Sequence, residues 1–276
     1  MTATDDYLSL FSSLPSLAPM TVLAVFFLTL ARLVPIVSLA PFLGSKNIPG
    51  TLRILFSLAL LAIFLPQNLM LTQHEIPYTG AFIGYMLKEL LIGFILGFLA
   101  SIPFLIAQMA GTLIDFQRGA SSLQVSDPTT QTQTSPIGLL CNFILIALFY
   151  SLGGPFLYLE GVADSYRIFP ATEGVNSTFF LQSTPFWTAI FALIGLMFRI
   201  AVQLSAPALI GVLLTDLFLG IANRLAPQVQ IVFLGMALKS WVGIALMTVA
   251  WGLMLKVLGS QALEWFQQLW ITLASH

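Results

Sequence analysis

The chain has 276 residues, a net charge of −1, a mean hydropathy of +0.96 and only 8% charged residues against 58% hydrophobic ones. Soluble domains carry about 25% charged residues, so this is the composition of a multi-spanning membrane protein, and the near-neutral balance offers no basic surface for nucleic acid. The single cysteine, Cys141, excludes an internal disulfide framework and any cysteine-rich metal site.

The amino-terminal stretch holds Asp5 and Asp6 and no basic n-region, so no cleavable signal peptide is predicted. At about 20 apolar residues per spanning helix, six apolar segments follow, near 17–43, 52–71, 80–110, 137–159, 186–219 and 231–258. Turn-forming residues fill the breaks at 44–50, 73–79, 119–136, 161–184 and 222–228. Lys46, Arg53, Arg118 and Arg224 fall in the odd loops and only Arg167 in the even ones. The positive-inside rule therefore places the odd loops in the cytoplasm and both termini outside.

The third segment, of about 31 residues, is interrupted by Lys88 and Glu89 and carries Pro103 late. Gly80 and Gly84, then Gly93 and Gly97, are each four apart and are predicted to line one face for close helix packing. The segment leads into Gly111-Thr-Leu-Ile-Asp115-Phe-Gln117-Arg118-Gly119. Asp115 and Arg118 lie three apart and share a helix face. As a plain interfacial salt bridge they contribute under about 1 kcal/mol.

The stretch Gln124–Ser135 is the compositional anomaly of the chain. Ten of its twelve residues are polar: Gln124, Ser126, Asp127, Thr129, Thr130, Gln131, Thr132, Gln133, Thr134 and Ser135. Pro128, with Gly119 upstream, supplies turn points. Such a ribbon between two apolar segments suggests an ordered polar loop over or inside a water-filled path. Topology alone makes it a cytoplasmic loop.

The fifth segment, of about 34 residues, holds Arg199, Pro207 and Asp216. Pro207 lacks a backbone donor and is predicted to kink or break the helix. An ionisable group facing lipid costs about 2.5–3.5 kcal/mol, so the embedded charges should face protein, water or the interface. Arg199 and Asp216 are too far apart to pair within one helix, so each needs a partner elsewhere. They read as polar glue between helices; a solute or ion transporter using both as coupling sites is the alternative. After the sixth segment, apolar residues at 262, 263, 266, 269, 270 and 273 oppose Glu264, Gln267 and Gln268, an amphipathic helix for a membrane interface or a partner.

No catalytic set is present. The sequence lacks a His-Glu-x-x-His pair and a Gly-x-x-x-x-Gly-Lys-Ser/Thr loop, and His74 reads as a solvated loop residue. Neither an enzyme nor a cofactor is predicted.

Three stretches, in order, resemble one family. The first is Arg32-Leu-Val-Pro35-Ile-Val-Ser-Leu-Ala-Pro41-Phe-Leu-Gly with Ile48-Pro49. The second is Gly111-x-x-x-Asp115-x-Gln117-x-Gly119 followed by Asp127-Pro128. The third runs from Asp216-Leu-Phe-Leu-Gly through Asn223-Arg224-Leu-Ala-Pro227-Gln228 to Gly235. Together they resemble the FliR/SctT family, export-gate subunits of flagellar and virulence type III secretion. Asp-Phe-Gln-Arg-Gly and Ala237-Leu238-Lys239 are more similar to the injectisome branch, particularly the chlamydial-type T subunit.

The resemblance implies an all-α protein of long kinked helices and hairpins in a helical, cone-shaped hetero-oligomer. Residues 1–180 would be R-like (flagellar P-like). Residues 181–276 would be S-like (flagellar Q-like), a long hairpin plus the terminal amphipathic helix. It implies R-type and S-type partners, a U-type switch protein and a V-type export gate, unfolded secreted proteins as cargo, and contact with membrane lipid. The place is the bacterial inner membrane, with the assembly projecting towards the periplasm. The ribbon Gly119–Ser135 becomes a channel plug anchored by Gly111, Asp115, Gln117 and Arg118. Arg32, Pro35, Pro41, Gly93, Gly97, Arg199, Pro207, Asp216, Asn223, Arg224, Pro227, Gln228 and Lys239 become subunit-packing residues.

Overall fold

The computed structural model describes residues 19–44, 48–72, 80–119, 135–171, 185–225 and 235–252, with 254 and 256. Among these there is no strand. The helices are α1 (Pro19–Leu39), α2 (Gly50–Leu71), α3 (Gly80–Gln117), α4 (Pro136–Ser151), α5 (Gly154–Ile168), α6 (Pro185–Leu225) and α7 (235–252), with a 3-10 turn at Pro41–Leu43. Helices α1, α2, α3 and most of α6 are long and apolar enough to cross a membrane, and α4 with α5 passes the same test as one broken span.

The apolar segments are therefore helical, with three corrections. The third helix runs on past 110 to Gln117, because Gly111 and Asp115 both find packing partners there. The fourth segment is two helices, broken at Leu152–Gly153, where Gly153 takes the left-handed φ of 72° that favours glycine. Pro207 does not break α6; it lies exposed inside one 41-residue helix, whose remaining backbone bonds carry it through the single missing donor.

The chain packs as two compact units. One comprises the described residues up to Ser101 together with Gly153–Phe186; the other comprises Ile102–Leu152 and the described residues from 187 onward. In the first unit, Ala24, Val25 and Leu28 of α1 pack with Leu69 of α2 and Ala171. Polar bonds fix the helices against one another: Asn68 Nδ2 donates to Thr29 Oγ1 at 2.9 Å, and the Tyr166 hydroxyl donates to the Thr29 carbonyl at 3.3 Å.

Lys88 and Glu89 do face protein. Glu89 accepts from Arg32 Nε at 2.6 Å and Nη2 at 2.9 Å, a bidentate pair with both side chains fully buried. The rest of the Arg32 guanidinium donates to Ser165 Oγ (3.1 Å) and the Phe169 carbonyl (2.7 Å) and lies 4.0 Å from the Tyr166 ring centre. Lys88 Nζ sits 3.1 Å from Glu89 and donates to the Pro170 carbonyl at 2.6 Å. Every polar atom of the group thus meets an opposite charge or a lone pair, which is what makes its burial tolerable.

The four glycines of α3 divide. Gly93 packs on the Arg32 carbonyl and Gly97 on the Pro35 carbonyl, whereas Gly80 and Gly84 have open space around them. The expectation of a single face fails on helical geometry: nine residues from Gly84 to Gly93 is about two and a half turns, so the pairs lie on opposite faces. Gly93→Ala should therefore push α1 and α3 apart and lower the thermal stability of the detergent-solubilised chain by about 1–3 kcal/mol. Gly84→Ala should be neutral or slightly stabilising, through helix propensity. Equal melting temperatures for the two variants would contradict the close crossing.

Candidate functional site

The described residues bring the two ends of the polar ribbon together. Helix α3 finishes at Gln117 and turns at Gly119, whose φ is 83°. Helix α4 starts with Ser135 as N-cap, its hydroxyl accepting from the Gly138 N–H at 2.9 Å, and Pro136 in the first turn. Between these ends lie residues 120–134, so Gln124 to Thr134 fall outside the described residues.

Asp115 closes the base. Its Oδ2 accepts the Ile137 N–H at 2.8 Å and the Ser135 hydroxyl, and its Oδ1 accepts Arg118 Nε at 2.7 Å. Asp115 is 1% exposed and Arg118 12%, so this is a buried, hydrogen-bonded pair rather than the surface bridge allowed by spacing alone. One carboxylate thus holds the last turn of α3, the cap of α4 and a guanidinium. Beside it, α3 and α4 cross with Gly111 against Gly138; a Cβ on Gly111 would lie 2.7 Å from Gly138 Cα. Gln117 is half-buried one position before Arg118, and its side chain makes none of the clamp's hydrogen bonds among the described residues.

The clamp continues into a hairpin. Arg118 Nη1 donates to Ser240 Oγ at 3.2 Å, and Gly243 lies against the Arg118 side chain. Helices α6 and α7 run antiparallel, with Gly211 facing Leu246, Val212 facing Gly243, and Leu219 facing Gly235. Asp216 pairs with Lys239, the neighbour of Ser240. The partner that Asp216 required therefore lies on α7.

The remaining predicted packing residues divide by place. Arg32, Pro35, Gly93 and Gly97 sit together at the α1–α3 crossing, where Arg32 is an internal counter-charge. Pro41 opens the 3-10 turn. Pro207, Asn223 and Arg224 are exposed on α6, as is Arg199. Pro227 and Gln228, the terminal amphipathic stretch and His74 fall outside the described residues. The residues that sequence reasoning missed are Glu89 as the counter-ion of Arg32, and Ser240 and Ile137 as partners in the clamp.

A family model described as "Bacterial export proteins, family 1" matches residues 23–264. The chain belongs to this family. Among its relatives, the secretion system apparatus protein SsaT of Salmonella typhimurium is 30% identical over 213 residues, 77% of this chain and 79% of that protein. The Yop proteins translocation protein T of Yersinia pestis is 35% identical over 164 residues, 59% of this chain and 60% of its own. The flagellar biosynthetic protein FliR of Bacillus subtilis is 31% identical over 207 residues, covering 72% and 75%. Secretion and flagellar members both align, so this export-family chain is of the FliR/SctT kind that its three motifs resemble. The matched span takes in the whole clamp, from Gly111 to Ser240.

Proposed function

We propose that this chain is the T-type subunit of a type III protein secretion export apparatus in a bacterial inner membrane, a structural and gating component with no catalytic role. In this reading it joins R-type and S-type subunits, with residues 1–180 R-like and 181–276 S-like. The assembly meets a U-type switch protein and a V-type export gate, projects towards the periplasm, and passes unfolded proteins. Residues 119–135 form its plug. The observation that carries the gating role is the Asp115 clamp. The clamp fixes both ends of residues 119–135 in one place, the footing that a plug returning to one position would use.

The ribbon's chemistry suits the task. Threonine and glutamine hydrogen-bond to one another and to water, and their low charge gives a passing chain little to hold. The test has two parts. The tagged full chain, purified from its own membrane, should bring down two small, very hydrophobic proteins in a stable complex. Deleting Gln131–Thr134 should then raise the ion conductance of that complex in planar bilayers. Unchanged conductance removes the gate, and solute uptake by the purified chain alone in liposomes would replace the reading with a transporter.

A further inference from the structure

Arg199 lies in the interior of α6, exposed, with no hydrogen-bond or ion-pair partner among the described residues. Most other charges embedded in the apolar helices are paired. Arg32 and Lys88 share Glu89, Arg118 has Asp115, and Lys239 has Asp216. Glu160 is exposed and without a partner among the described residues too, but it lies on α5, one turn before the exposed Asp164–Arg167 pair. Arg224 is in the last turn of α6, where a cation suits the helix dipole.

Around Arg199 the outer face is apolar in both directions along the helix. Leu196, Phe198, Val202 and Ile210 are all exposed, and Gln203, one turn on, is the single polar neighbour on that face. The next ionisable residue of α6 is Asp216, about 25 Å along the axis at 1.5 Å per residue, and it is already engaged. A lipid phosphate marks the boundary between apolar and polar surface. Between Leu196 and Ile210 this face shows no such boundary, and a headgroup is the competing outcome that the crosslink tests. An apolar helix presenting one carboxylate fits it well: arginine is the cation suited to ion pairs inside interfaces, and a single matched charge fixes the register of two otherwise featureless apolar helices.

We infer that the face of α6 from Leu196 to Ile210 docks an apolar helix of a different subunit, and that an aspartate or glutamate of that helix pairs with Arg199. This rests on the proposed membership in a hetero-oligomeric apparatus and adds which face, which residue and what partner chemistry.

The experiment uses the full chain, produced with its apparatus in its own membrane. A photo-crosslinking residue at Val202, with Arg199 intact, should attach to an apolar segment of another subunit bearing an aspartate or glutamate within about one turn of the link. Arg199→Glu should lower recovery of that subunit at least about tenfold, and changing the partner's carboxylate to lysine should restore it. Arg199→Leu keeps the face apolar and the chain at its normal level, and should still lose the partner. Overturning results are full recovery with Arg199→Glu, crosslinking to lipid only, to a second copy of this chain, or to a segment without a carboxylate. If the unsubstituted chain recovers no other subunit at all, the function proposed above fails instead, independently of Arg199.

Discussion

Glu89→Ala is expected to be the most damaging single substitution in the first unit, costing about 3–5 kcal/mol. Removing the carboxylate leaves the fully buried Arg32 without its bidentate partner and places Lys88 beside it as a second uncompensated cation. Against a typical total stability of about 5–15 kcal/mol, that is enough to deplete the folded chain. The check is the melting temperature of the chain in detergent, together with its level in the membrane. The control separates a bad remnant from a good pair. Arg32→Met and Lys88→Met with Glu89→Leu removes all three ions at similar volume and should melt within about 1–2 kcal/mol of the parent. A triple variant as unstable as Glu89→Ala would mean that the ion group stabilises the crossing in its own right. The Arg167–Asp164 bridge calibrates the comparison. It is 3.1 Å long but more than half exposed, and its loss should cost under about 1 kcal/mol.

What sequence could supply is visible in these residues. Helix positions were legible because apolarity is a local property, summed over about 20 residues. The need for partners was legible as well: Lys88, Glu89, Arg199 and Asp216 interrupt apolar runs, and a charge there demands a counterpart. The counterparts themselves were not, since Arg32 and Glu89 are 57 positions apart and neither side of the pair carries a local sign of the other. Asp216 and Lys239 meet only because α6 and α7 fold back on one another. Asp115 and Arg118 were paired correctly from their spacing, but burial and the bonds to Ser135 and Ile137 depend on where α4 begins. That start was written in Ser135-Pro136, a cap followed by a first-turn proline, which the polarity of the ribbon masked. The Gly153-Gly154-Pro155 break was equally available and was hidden by its apolar surroundings. The glycine pairs of α3 failed for a simpler reason: matching spacings within each pair say nothing about the phase between the pairs.

Asp115→Ala carries the largest expected effect on the proposed gate. The substitution strands the Ile137 N–H, removes the acceptor of the Ser135 hydroxyl, and leaves Arg118 among the described residues with its bond to Ser240. A buried donor left unmade costs about 1–3 kcal/mol, which multiplies the population of the opened base by roughly 5–150. With residues 119–135 as the plug, permeability of the assembled complex to ions and small solutes should rise by a factor in that range while its other subunits are still recovered. Asp115→Asn keeps an acceptor for Ile137 but surrenders the charge that Arg118 faces, so its leak should fall between Asp115→Ala and the parent. Ser135→Ala removes one ligand of the carboxylate and the cap of the Gly138 N–H, but leaves the carboxylate, Arg118 and the Ile137 bond in place, and should leak less than Asp115→Ala. Greater flux in Asp115→Ala than in either of the milder variants, read as dye or ion flux in the same membrane, ties leak to the carboxylate of the clamp. An intact complex with the same flux in all three variants would make the clamp a fold element alone, and the ribbon above it a connector.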